Sequence, residues 1–281
     1  MTEMRETMQR LAQDIKTGQF ARVYLLYGEE AYLRKQYRDR LKEAIIGDDT
    51  MNYHYYEGKN ISVGEVIDQA ETLPFFAERR LLVIENSGLF KSGGEQLAEY
   101  LKEPAPTAFF LMVETEIDKR SRLYKAVQAK GCAVEFSVQD ESTLKRWLLG
   151  MVKKENKKIT ESALDFFLKK TGTDMENIRR EMEKLFCYCL EKEAITEADI
   201  SEICTKRIGN HIFDMVGAIA EKRQKKALEL YYELLAQKEP PMRILFLIAR
   251  QFNLLLQVKE LKGKGFQNKA IGEKVGLPGF V

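Results

Sequence analysis

Histidine and cysteine are nearly missing from this chain, with two of the first and four of the second in 281 residues. His54 and His211 stand far apart, and Cys132, Cys187, Cys189 and Cys204 form no C-x-x-C pair, so no metal-ligand spacing exists and the thiols are expected to be free in a reducing cytoplasm. No apolar run approaches the roughly 20 residues of a membrane span. The opening TEMRETMQRLAQDIK carries charge where a signal peptide carries its apolar segment, so export is not indicated. Phosphate-binding loops are missing too. The apolar run Val23 to Tyr27 leads into YGEEAYL rather than G-x-x-x-x-G-K-[ST], and G-x-G-x-x-G does not occur. Gly58-Lys59 and Gly263-Lys264 lack the surrounding loop and the preceding strand. Glu29 and Glu30 place two carboxylates at a helix N-terminus, which suits the helix dipole and repels a phosphate from the same place. Acid-base chemistry has no paired groups to use, since carboxylates such as Glu114 and Glu116 read as surface residues. The residues therefore offer no catalytic, cofactor-binding or metal site, and enzyme activity within this chain is left uncertain.

What is present is an ordinary globular composition, 44% hydrophobic and 31% charged, which suffices for two or three small domains with cores of their own. Charge is unevenly spread. Residues 1–140 hold 19 Lys+Arg against 23 Asp+Glu, a balance of −4; residues 141–207 stand at +1 and residues 208–281 at +5. A basic last third points either to nucleic acid or to solvated helix faces.

In chain order, Met4, Met8, Leu11 and Ile15 recur at helical spacing before Gly18. Val23–Tyr27 reads as a strand, Gly28 as a turn, and Leu33, Tyr37, Leu41 and Ile45 as a helix face. Tyr53–Tyr56 is a second strand, and Ser62 with Glu65 signals a helix from Val63 to about Glu71. Further strands are expected at Leu81–Ile84, Phe109–Val113 and Ala133–Phe136, with helices near Glu95–Leu101 and Ser121–Gln128. Strands alternating with helices predict an α/β domain with a doubly wound parallel sheet. After Phe136 every periodic segment reads as helix. Leu144, Trp147, Leu148 and Met151 form one apolar face, and Leu164, Phe167 and Leu168 form another. A third helix starts at Thr173 or Asp174, and Thr196 with Asp199 opens a short fourth. Three more helices are expected at His211–Glu221, Lys225–Ala236 and Met242–Leu261. Boundaries near Ser137–Glu141 and Lys206–Asn210 give three parts: residues 1–138, 139–207 and 208–281.

The third helix pattern of the α/β part is followed by TLPFFAERRLLVIEN, Thr72 to Asn86, which runs into the third strand. Leu73, Pro74, Phe75 and Phe76 are four apolar residues in a row, and Pro74 cannot serve a helix interior or a central strand. They read as a loop mounted on the buried strand Leu81–Ile84. Two phenylalanines on a loop either fold back into their own core or dock on something else, and periodicity leaves both readings open.

LPFFAERRLLVI resembles the clamp-contacting element of the delta subunit of the bacterial DNA polymerase III clamp loader. VYLLYGEEAYLRKQYRDRL at Val23–Leu41 is similar to that family's first strand, turn and helix. DMENIRREMEKL at Asp174–Leu185 resembles its second domain and PPMRILFLIARQFNLLL at Pro240–Leu256 its third, so the likeness runs along nearly the whole chain in order. The resemblance implies an AAA+-like domain without a P-loop, a helical lid-like domain, and a helical collar that continues past Val281. It implies that Phe75 and Phe76, with Leu73 and Pro74, insert into a pocket on the sliding clamp (beta subunit), whose ring then opens for loading onto primed DNA. The implied partners are the other loader subunits through the collar and primer-template DNA within the complex, with no cofactor and no membrane. The implied location is the cytoplasmic, nucleoid-associated replisome, within the DNA polymerase III holoenzyme, a nucleotidyltransferase complex. Two other classes remain beside it: a nucleotide-dependent ATPase with a degenerate site, and an interaction module of another assembly.

Overall fold

A computed structural model describes residues 2–205, 208–236 and 239–276, and these fall into two compact units, Met1–Asp140 and Glu141–Val281. The first is built on a parallel sheet. Its strands are β1 (Val23–Tyr27), β2 (Tyr53–Glu57), β3 (Arg80–Glu85), β4 (Ala108–Glu114) and β5 (Cys132–Glu135), in the order β2-β3-β4-β1-β5. Register is continuous across the centre: Leu82 lies opposite Phe110, and Leu25 lies opposite both Met112 and Ala133. β1 and β4 are buried along their whole length and β3 at all but its last residue, as strands covered on both faces must be, and this produces their unbroken apolar runs. Alternate residues serve opposite layers. Val23, Leu25, Leu82, Ile84, Phe110 and Met112 pack with α3 (Val63–Glu71), α4 (Glu95–Tyr100) and α5 (Arg122–Lys130). Tyr24, Leu26, Leu81, Val83, Phe109 and Leu111 pack with Leu11 of α1 (Thr2–Thr17) and with Leu41 and Ile45 of α2 (Ala31–Ile46).

Short polar signals start these helices. Ser62 caps α3 by accepting from the Glu65 amide, and Ser121 caps α5 by accepting from the Tyr124 amide. Glu30 caps α2 through the Tyr32 amide. Between β1 and α2 the chain turns at Gly28, whose φ of 120° lies in the region glycine favours; a Cβ there would run into the Phe136 carbonyl.

The second unit contains α6 (Glu141–Lys154), α7 (Glu161–Thr171), α8 (Met175–Tyr188) and α9 (Glu197–Ile203). α10 (Ile208–Ala220), α11 (Gln224–Ala236), α12 (Pro241–Gly263) and α13 (Asn268–Val275) follow. Asp174, not Thr173, caps α8, and Thr196 with Asp199 forms a reciprocal capping box on α9. An all-helical reading of this half needs correction: β6 (Lys158–Ile159) and β7 (Ala194–Ile195) pair in parallel. Two residues are too few to show a period of two, so these strands leave no mark in the sequence. α13, a helix of eight residues, lies beyond the last helix expected at Met242–Leu261. Ile212, Met215, Leu230, Leu234 and Ile244 form a core among α10, α11 and α12. Lys206 and Arg207, within the expected second boundary, lie outside the described residues, as do residues 277–281 at the end of the expected last part.

Candidate functional site

The loop between α3 and β3 leaves the helix at Thr72, whose amide and hydroxyl both donate to the Asp68 carbonyl. Its main chain is then held by two buried polar side chains. Arg80, at the start of β3, donates from Nη2 to the Leu73 carbonyl at 2.9 Å. Asn52, just before β2, accepts from the Phe75 amide at 2.7 Å and donates to the Phe75 carbonyl at 2.9 Å. The side chains between and beyond these anchors face out. Leu73 is 78% exposed, Phe75 57% and Phe76 95%, and Pro74 is half-buried. The two rings meet edge to face with centroids 4.6 Å apart. Phe76 has φ of 48°, a left-handed conformation that costs a non-glycine residue about 1–2 kcal/mol. On the far side Arg79 stacks over Phe20 and Phe109, which closes the base of the loop.

The anchors are themselves anchored. The Asp49 carboxylate accepts from the Asn52 side chain at 2.7 Å and from the Asn52 and Met51 amides, and these donors hold its pKa below the usual value. Arg80 Nη1 donates to His54 Nε2 at 2.5 Å and to Gln69 Oε1 at 3.3 Å. Burial first, and the Arg80 charge second, push the His54 pKa down.

At the carboxyl end of the sheet, β2, β3, β4 and β5 each finish on glutamate: Glu57, Glu85, Glu114 and Glu135. This is where doubly wound sheets hold ligands, and a row of carboxylates opposes a phosphate there. The surface reading of Glu114 is wrong. It is 3% exposed, and its Oε1 accepts from the Ser87 amide at 2.8 Å, the Ser87 hydroxyl at 2.5 Å and the Gly88 amide at 3.3 Å. Burial raises its pKa against those donors and the nearby Arg34. Glu116 does face solvent, paired with Lys91 at 2.7 Å. Arg34 is buried near Glu85, Glu114 and Glu30, and Arg38 pairs with Glu85 at 2.7 Å, so cations of α2 balance this edge. Cys132, Cys189 and Cys204 are buried and Cys187 is exposed, all as free thiols. No described helix is long and apolar enough to cross a membrane.

Known proteins share this architecture. The family model described as DNA polymerase III, delta subunit matches residues 24–137, and the model for the C-terminal domain of the DNA polymerase III delta subunit matches residues 209–281. The chain belongs to the DNA polymerase III delta-subunit family. It is 27% identical over 280 residues to DNA polymerase III subunit delta of Bacillus subtilis, spanning 95% of this chain and 80% of that one. Identity to the probable DNA polymerase III subunit delta of Aquifex aeolicus is also 27%, over 91% of this chain and 76% of that one. The solved Bacillus subtilis DNA clamp loader delta protein superposes with a TM-score of 0.71 at 25% identity, covering 97% of this chain and 84% of that one. As a delta-family member the chain is part of a clamp loader.

In this delta chain, Leu73, Pro74, Phe75 and Phe76 lie together on one loop, with three of the four side chains exposed. Asn52 and Arg80 were not singled out by sequence reasoning. The signal present was a charged residue directly before the apolar run Leu81–Ile84, and an asparagine directly before the aromatic strand YHYYE.

Proposed function

We propose that this subunit grips the sliding clamp through Leu73, Pro74, Phe75 and Phe76 and biases the clamp ring toward its open form during loading onto primed DNA. One observation carries the reading: two adjacent phenylalanines stand in solvent on a loop whose main chain is held by buried polar groups. Burying the nearly bare Phe76 gains about 4 kcal/mol and the half-covered Phe75 about 2 kcal/mol, at about 25 cal/mol per Å² of apolar surface. Association costs about 4–15 kcal/mol in lost freedom, so Leu73 and a surrounding rim must contribute.

The chain works in three parts: an AAA+-like part at 1–138 that carries the grip, a helical part at 139–207, and a collar at 208–281 that joins the other loader subunits around primer-template DNA. The setting is the cytoplasmic replisome. The subunit takes no nucleotide itself, because the strand ends present carboxylates and Glu30 caps the α2 N-terminus. A ligand opens a ring only by binding the open form more tightly than the closed one. A clamp labelled with a fluorophore and quencher across one interface, titrated with this chain without ATP, should show saturable dequenching. An unchanged signal with the chain bound would show that gripping does not open the ring.

A further inference from the structure

We propose that Asn52 and Arg80 are positioning residues for clamp docking, which act by fixing the loop main chain before the clamp arrives; the inference rests on the docking reading above. Asn52 is completely buried and makes the pair of bonds to Phe75 that a neighbouring strand would make, one from the main-chain amide and one to the carbonyl. Its orientation is set by Asp49, which accepts from Nδ2 and would repel Oδ1 were the amide reversed. The Asn52 carbonyl accepts from the Leu81 amide at 2.9 Å, so the same residue ties the loop to β3. Arg80 fixes Leu73, the ring of Pro74 fixes the next φ, and Asn52 fixes Phe75. Three consecutive residues are thereby set, and Phe76 follows in its left-handed conformation with its ring outward.

Stability alone does not account for this arrangement. Arg80 is buried with its Nε lacking a hydrogen-bond partner, a cost that a leucine at the first position of β3 would avoid. Beside its bonds to His54 and Gln69, the guanidinium supplies one to the loop. Strained backbone of this kind persists only where the surroundings over-determine it, and a loop already in its docked shape loses less freedom on binding.

The test is a double-mutant cycle on clamp affinity, measured by surface plasmon resonance with the full chain. Asn52→Ala alone should weaken binding about tenfold by loosening the loop. In a Phe75→Ala background the same change should weaken it by less than about twofold, because residues that act through one another are not additive. Amide hydrogen exchange at Phe75 should accelerate in Asn52→Ala. Arg80→Met provides a second cycle should Asn52→Ala fail to fold, and is read by the same criteria. Equal losses in both backgrounds would reduce Asn52 to a general structural residue and overturn the proposal. So would unchanged affinity alongside accelerated exchange. Should Phe75→Ala itself leave affinity intact, the docking reading falls, and the positioning role with it.

Discussion

His54 can accept the Arg80 hydrogen bond only while its imidazole is neutral, so a proton taken up there opposes the grip of Arg80 on the Leu73 carbonyl. Burial and the Arg80 charge lower its pKa below the usual value of about 6.5. The folded chain therefore binds fewer protons than the unfolded chain as pH falls through that value. Stability is full above about pH 6.5 and declines below it until the lowered native pKa is passed. Thermal melts from about pH 7.5 to about pH 5.5 should show this decline, and His54→Gln, which keeps an acceptor, should flatten it. An equal slope in the variant would assign the effect to other groups. At this scale the sequence is least legible. Asn52, Arg80, Arg34 and Glu114 are polar residues whose partners lie elsewhere in the chain, and composition alone makes them surface candidates. Glu114 closes the apolar run AFFLMVE as Glu85 closes RLLVIE, yet only Glu114 is fully buried, so the sequence does not tell the two apart.

Elements were more legible where a period or a cap was written into them. The parallel sheet follows from three strands apolar on both faces, and α3, α8 and α9 follow from Ser62, Asp174 and Thr196. What ties elements together was not visible. Lys157, between α6 and β6, donates from Nζ to the carbonyls of Cys189, Leu190 and Lys192 at 2.6, 3.3 and 3.0 Å, and so satisfies the chain leaving α8. Lys170 does the same for Ile200 and Ser201 at the end of α9. In sequence both are unremarkable lysines in a charge-rich stretch. Lys157→Met should lower the unfolding free energy by about 1–3 kcal/mol in urea titration, whereas the exposed Lys153→Met should stay within about 0.5 kcal/mol. Equal effects would show the three carbonyls to be served as well by water.

On the scale of the whole molecule, the charged edge of the sheet and the exposed apolar loop lie at opposite ends of β3. The sheet's carboxyl end, where a doubly wound fold usually meets its ligand, carries four glutamates balanced in part by Arg34 and Arg38. Exposed aromatic side chains lie instead on the loop entering β3 from its amino end. The family likeness was legible because its motifs occur in order along the chain, while the bonds that Asn52 and Arg80 make to the loop main chain emerge only from the fold. The measurement that bears most directly on this account is clamp affinity by surface plasmon resonance for the wild-type chain and for Phe75→Ala with Phe76→Ala. At roughly 2 kcal/mol or more for each anchor, the double variant should bind about a thousandfold more weakly with its melting temperature unchanged. A folded double variant that binds within about threefold of wild type would contradict the assignment of this loop as the clamp grip.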